Sequence, residues 1–167
     1  MLMTHVTCDS PGTLDSATQV RKLIEAAEDQ AAELLPKHLP RHTERTYRNA
    51  LRVWCAWHAL RYGTPLQIPT APEVVLQFRL DFAARSPESG SSHQLPEHID
   101  QLLIEFRLKS DVGPCSLSTV VQRLAGLVAA HRAKGLPSLV AHFTSSRERN
   151  NSFERQAFVL VHALLSC

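Results

Sequence analysis

An all-α fold is what this sequence predicts, and three observations predict it. Apolar residues recur at i, i+3, i+4 and i+7 through most of the chain. Prolines and glycines fall between these periodic stretches, where they end helices and open turns. No stretch shows the two-residue alternation of a half-buried strand, and no long repeat or low-complexity tract interrupts the pattern. Length and composition agree: 167 residues, 44% hydrophobic and 20% charged, suit one domain with its own core. The expectation is a compact bundle of about five to seven helices.

Residues 1–15 lack periodicity and read as a flexible tail, 16–150 as the helical domain, and 151–167 as a C-terminal helix or linker. The first helix spans about Ser16 to Leu35 and buries Val20, Leu23, Ile24, Ala27, Ala31 and Leu34. Pro36 and Pro40 bracket its exit. The second helix occupies 40–62; Gly63 stops it, and Pro65 and Pro69 keep the next stretch extended. Thr70 then caps a third helix, with Pro72 in the first turn and Glu73 completing a capping box. Val74, Val75, Phe78 and Phe82 point inward from it. SPESGSSHQL, residues 86–95, is a polar loop. A fourth helix, about 96–109, carries Ile99, Leu102, Leu103 and Phe106 on one side. Ser116 caps a fifth, whose apolar positions are Leu117, Val120, Val121, Leu124, Leu127, Val128 and His131; Gly135 ends it. A short helix near 138–148 and an apolar helix near 153–165 complete the reading.

Several function classes are excluded at this level. No window approaches 18 consecutive apolar residues, so no membrane span is expected, and the N-terminus lacks the basic and apolar regions of a signal peptide. The expected location is cytoplasmic. Cysteines at 8, 55, 115 and 167 form no CxxC pair and read as reduced, incidental thiols. His38/His42 and Cys55/His58 lack a third ligand, so no metal is expected. His131, on an apolar face, reads as a hydrogen-bonded core histidine. There is no GxGxxG, P-loop, HExxH or GxSxG motif, and no cofactor or small-molecule substrate is expected.

The net charge of +2 conceals segregation. Residues 1–39 hold three basic and six acidic side chains (−3), and 63–115 hold four and seven (−3). Residues 40–62 hold five arginines and one glutamate (+4), and 116–167 hold six basic and two acidic side chains (+4). The stretch PRHTERTYRNALRVWCAWHALRYG, 40–63, also holds both tyrosines and both tryptophans. On a helix, Tyr47, Ala50, Leu51, Trp54 and Trp57 share one broad face. Arg41, Arg45, Arg48 and Arg52 fall at i, i+4, i+7 and i+11, a stripe on another face. Like charges at this spacing destabilise an isolated helix by a few tenths of a kcal/mol each, and guanidinium groups fork onto phosphates. A polyanion opposite the stripe is one explanation. The other is a solvated face whose arginines pair with carboxylates of the acidic segments. Near the start of the fifth helix, Ser118, Thr119, Gln122 and Arg123 form a second polar edge suited to phosphate and base-edge contact.

These helices together resemble the N-terminal core-binding domain of tyrosine recombinases, the phage integrase family, and its Cre-like branch in particular. The likeness runs through HTERTYRNALRVWCAWH and PTAPEVVLQFRLDF, and through LSTVVQRLAGLVAAHRAKGLPS with its T-x-x-x-x-L-x-x-L-x-x-x-H run. It covers roughly residues 16–145. The resemblance implies a SAM-like helical bundle that lies on one side of a DNA duplex, followed in the family by a catalytic domain that closes a clamp. By position it implies DNA contacts from Thr43, Arg45, Thr46 and Asn49, and from Ser118, Thr119 and Gln122. Arg41, Arg48, Arg52 and Arg123 join them from the helical wheel. The implied partners are double-stranded DNA and other recombinase protomers. Family chemistry needs a nucleophilic tyrosine, two arginines, a lysine and a His-x-x-Arg in the C-terminal domain. His38-Leu-Pro-Arg41 matches His-x-x-Arg at the wrong end, so no enzymatic activity is expected of this chain. The segment 86–115 is longer than the family pattern and reads as an elaboration. The alternative function is a helical protein-interaction module or a truncated recombinase remnant that associates with partner proteins.

Overall fold

A computed structural model describes residues 16–84 and 93–136 of the chain. They form five helices: α1 (Ser16–Leu34), α2 (Arg41–Tyr62), α3 (Pro72–Phe82), α4 (Glu97–Glu105) and α5 (Leu117–Ala133). The all-α expectation holds; the described residues form no strand, and an isolated bridge between Ala83 and Cys115 is the nearest approach to one. The expected tail at 1–15, most of the polar loop, and the expected helices near 138–148 and 153–165 lie outside the described residues. No described helix is long and apolar enough to cross a membrane.

The second helix is the axis of the bundle, packed by α1, α4 and α5. The wheel gives α2 one apolar face. In the structure its middle is covered almost all round: Ala50, Leu51 and the whole run Val53–Ala59 are buried. The difference comes from its neighbours, which close on three sides and make small residues such as Ala56 and Cys55 part of the core. Burial pushes the Cys55 thiol up to about 12, which keeps it inert. Trp54 stacks on Phe78 with ring centroids 3.6 Å apart, and Trp57 meets Phe78 edge-on at 5.1 Å. Each indole N–H has a partner. Trp54 donates to the Arg123 carbonyl at 2.9 Å, and Trp57 to the Asp81 carboxylate at 2.8 Å. Asp81 is fully buried, yet Gln77 also donates to it at 2.8 Å and Arg61 pairs with it at 3.1 Å. A buried carboxylate persists where it is satisfied in this way.

Helix ends follow local chemistry, with two departures from expectation. Gly63 (φ 69°) closes α2 and Ser116 caps α5 through the Thr119 N–H, both as expected. The capping box at α3 does not form. Its N-cap is Ala71 with no side-chain bond, because the Thr70 hydroxyl donates back to the Gln67 carbonyl and the Thr70 N–H donates to His131 Nε2. The fourth helix ends at Glu105 rather than near 109, because Arg107 adopts a left-handed conformation (φ 57°) and turns the chain. Past that turn, Lys109 is buried against Asp100 and the Gly113 carbonyl, and the Gly113 N–H donates to Asp100 at 2.8 Å. Burial acts to raise the Asp100 carboxyl, but the Gly113 N–H, Lys109 and His93 outweigh it and hold the group below its ordinary value.

Helices α2 and α5 cross closely at Gly126. A Cβ on Gly126 would lie 2.6 Å from the Ala50 Cβ and 3.5 Å from the Tyr47 carbonyl oxygen. Gly126→Ala gains about 1 kcal/mol of helix propensity but overpacks a crossing where both atoms are fixed to backbone, at a cost of about 1–3 kcal/mol. The expected result is a lower melting temperature, restored in part by adding Ala50→Gly, which moves the methyl from one helix to the other. Thermal melts of the single and double variants check this.

His131 is the hydrogen-bonded core histidine that its position suggested. It is 1% exposed; Nδ1–H donates to the Leu127 carbonyl at 2.9 Å and Nε2 accepts from Thr70 N–H at 2.9 Å. The bond from Thr70 requires the neutral ring, because a protonated Nε2 cannot accept; the bond to Leu127 forms in either state. Burial lowers its pKa from 6.5, opposed by the Leu127 bond. Its contribution to stability is therefore complete above about pH 6.5. As pH falls below that value the unfolded chain takes up a proton that the folded chain refuses, and stability drops by up to about 1.4 kcal/mol per pH unit until the folded group titrates too. His131→Gln should melt lower at about pH 7.5 and lose less on going to about pH 5, so the gap between the two proteins narrows. A gap of constant size would show that His131 does not titrate this way.

Candidate nucleic-acid interface

The close crossing at Gly126 and Ala50 fixes what lies beside it. There α2 and α5 diverge enough to leave an open cleft of about 280 Å³, with the turn after α4 as its third wall. Helix α2 contributes Thr46, Asn49 and Arg52; α5 contributes Thr119, Gln122 and Arg123; the turn contributes Arg107 and Leu108. Six of the eleven residues singled out in the sequence thus line one cleft, although the two groups are some seventy positions apart. Ala50 and Val53 form its apolar floor. Among the lining residues are three arginines and no carboxylate. At about 280 Å³ it is below the usual range for a small-molecule pocket, roughly 300–1,000 Å³, and suits part of a larger ligand.

The five other residues do not line the cleft. Arg41, Arg45 and Arg48 are exposed along α2, and Thr43 is half-buried. Ser118 is exposed at the start of α5. Its hydroxyl lies 3.0 Å from Ser116 Oγ, and Thr119 Oγ1 lies 2.8 Å from the same atom, so both hydroxyls belong to the cap of α5. Thr46 Oγ1 donates to the His42 carbonyl at 3.1 Å. Asn49 and Gln122 are exposed at the cleft mouth.

The arginine stripe divides into two kinds. Arg48 pairs with Glu44 one turn away, and Arg52 reaches across to Glu28 on α1, with Nε at 3.1 Å. Pairing with the acidic N-terminal segment, one of the two explanations raised by the sequence, thus accounts for Arg52. Arg41 and Arg45 make no ion pair with another described residue. Their charge faces solvent.

Arg123 departs from the helical-wheel reading. The wheel puts it on the outer polar edge with Gln122, but it is 8% exposed. Its guanidinium lies 4.8 Å from the Phe82 ring centroid and donates to Cys115 Sγ at 3.3 Å. Burial pushes its pKa below the ordinary value, and the neighbouring Cys115 acts against that shift. Cation–π contact with Phe82 and the bond to sulfur hold the charge in the wall of the cleft. Sequence reasoning missed Arg107 altogether. The available signal was an arginine in the DVGP-bounded end of the fourth helix; the wheel extended the helix through it instead. Cys55 and His58 do not come together as ligands: Cys55 is buried in the core and His58 Nδ1–H donates to the Thr64 carbonyl at 2.8 Å.

No protein-family model, no curated protein and no solved structure matches the chain.

Proposed function

We propose that this chain binds duplex DNA through the face formed by α2 and α5, and that it serves as the SAM-like core-binding part of a tyrosine recombinase. One observation carries the reading: the cleft that joins Thr46, Asn49 and Arg52 to Thr119, Gln122 and Arg123, with three guanidinium groups and no carboxylate among its lining residues. Guanidinium, amide and hydroxyl donors of this kind serve phosphate and base-edge contact. Arg41 and Arg45 extend the positive surface along α2. The core supports the reading from the other side, since both tryptophans are used in packing while Arg41, Arg45 and Arg48 remain exposed.

No strand-cleaving role is assigned to the chain. Its tyrosines, Tyr47 and Tyr62, both belong to α2, and the Tyr62 ring meets Trp57 edge-on at 5.7 Å; the resemblance puts the nucleophilic tyrosine and its arginine, lysine and histidine set in a C-terminal domain instead. The alternative, a helical protein-interaction module, draws on the apolar segment FVLVHALL, which lies outside the described residues.

Duplex affinity should fall linearly with salt on a log–log plot, with a slope of about −0.9 per phosphate contacted. Arg41→Ala with Arg45→Ala should shrink the slope by about one unit for each phosphate no longer neutralised. It should change stability by less than about 0.5 kcal/mol, because both side chains are exposed. Binding titrations on random duplex and thermal melts measure the two effects. A salt-independent affinity, or no binding at low salt by a folded protein, sinks the duplex reading and leaves the interaction module. On a nicked duplex no covalent protein–DNA adduct should form; an adduct that disappears in Tyr47→Phe would overturn the non-catalytic assignment.

A further inference from the structure

Helices α4 and α5 end in the same turn. In each, a residue in the left-handed region follows the helix cap, and two N–H groups fold back on the last carbonyls. At α5 the residue is Gly135 (φ 68°), with its N–H to the Arg132 carbonyl at 3.0 Å and the Leu136 N–H to the His131 carbonyl at 3.1 Å. At α4 it is Arg107 (φ 57°), with its N–H to the Ile104 carbonyl at 2.9 Å and the Leu108 N–H to the Leu103 carbonyl at 2.8 Å. Glycine suits this position because a Cβ there crowds the following carbonyl oxygen. Arginine is therefore an unfavourable choice for the turn itself. The turn does not need it. Leu108 supplies the buried apolar contact, and Asp100, Lys109 and Gly113 secure the chain beyond.

What arginine adds is a guanidinium in the wall of the cleft. The two other arginines there are already engaged, Arg52 by Glu28 and Arg123 by Cys115 and Phe82. Arg107 is exposed and makes no ion pair with another described residue. The same cleft is lined by Asn49 and Gln122, whose amides are exposed at its mouth, and by Thr46 and Thr119, whose hydroxyls bond within their own helices. A fork of N–H donors with no ion pair to another described residue, in a cleft whose described lining holds two further arginines and no carboxylate, matches a phosphodiester better than a carboxylate or a cation.

We propose that Arg107 contacts a backbone phosphate of the bound duplex, a contact supplied by the segment between α4 and α5 in addition to those of α2 and α5 themselves. The inference rests on the duplex-binding reading above. The turn trades conformational ease for a ligand contact, and the trade gives the test opposite signs in stability and binding. Arg107→Gly removes both the crowded Cβ and the guanidinium. It should melt at a higher temperature than the parent, bind duplex more weakly, and show a salt slope smaller by about 0.9. Arg107→Lys should keep the slope and gain no stability, since it retains both the charge and the Cβ. Melts with added inorganic phosphate form the control arm: phosphate should raise the parent's melting temperature no more than it raises that of Arg107→Gly. Duplex binding by Arg107→Gly with the parent's slope overturns the contact and leaves the wider reading intact. A lower melting temperature for Arg107→Gly overturns it too, by making the arginine structural. Absence of duplex binding by the parent defeats both readings. Stabilisation by inorganic phosphate in the parent alone assigns the cleft to a free phosphate ester and also overturns the duplex contact.

Discussion

The close approach of Gly126 on α5 to Ala50 on α2 fixes the setting of the six candidate residues that line the neighbouring cleft. A helix pair separated by larger side chains would carry Asn49 and Gln122 farther apart. Here a missing side chain on one helix and a methyl on the other bring the backbones together. The Trp54 indole N–H, bonded to the Arg123 carbonyl at 2.9 Å, locks the same two helices a turn away. Packing interiors resist deformation, so the cleft beside this crossing is held at a fixed width by contacts that have no part in binding. That is the usual requirement for a recognition surface whose donors must match the spacing of a rigid ligand.

Buried polar groups then define how the remaining segments sit on this pair. Asp81 gathers Trp57, Arg61 and Gln77, which ties α3 to α2. His131 joins α5 to the chain entering α3 through Thr70. Asp100, Lys109 and Gly113 close the excursion after α4 on itself. Each group would cost several kcal/mol if buried without partners, so each tolerates few alternative arrangements. The third network matters most for the cleft, because it fixes the turn that carries Arg107. Residues 97–113 are therefore tied into the bundle by Asp100 and Lys109.

Helix positions were legible because an amphipathic helix writes its buried face at a 3.6-residue period. That period marks Val20, Leu23, Ile24, Ala27, Ala31 and Leu34 on α1 as inward-facing; the last four are buried, and Val20 and Leu23 are half-buried. Glycine stops are equally plain at Gly63 and Gly135. The misreadings have a common physical source: they depend on residues distant in sequence. Thr70 has the chemistry of a cap, but its N–H is taken by a histidine 61 positions away. Arg123 looks outward on a wheel, which contains neither Phe82 nor Cys115. For Arg52 the sequence left open a phosphate or a carboxylate of the acidic segments as partner, and only the fold brings Glu28 beside it, 24 positions earlier in the chain. The turn at Arg107 was missed for the opposite reason. Its local residue type argues against a left-handed conformation, and the fold imposes one.

The pairing of Arg48 and Arg52 bears on how the surface could meet a polyanion. Their carboxylate partners, Glu44 and Glu28, are 35% and 43% exposed, so both pairs are in contact with water. Exposed pairs of this kind are worth roughly 0–1 kcal/mol. Exchanging one carboxylate for a phosphate therefore costs little, and the guanidinium keeps its geometry while its partner changes. The glutamate left behind remains as a negative charge near the ligand and subtracts from the long-range attraction, which at ordinary ionic strength decays over about 8–10 Å. Arg41 and Arg45, which make no ion pair with another described residue, carry no such penalty. The stripe is thus graded along α2: Arg41 and Arg45 at its N-terminal end are exposed without an ion pair to another described residue, and Arg52 at its cleft end is held in position by Glu28. A positive surface without carboxylate partners among the described residues and a guanidinium fixed by a neighbouring carboxylate are different electrostatic arrangements, and this helix distributes them over successive turns.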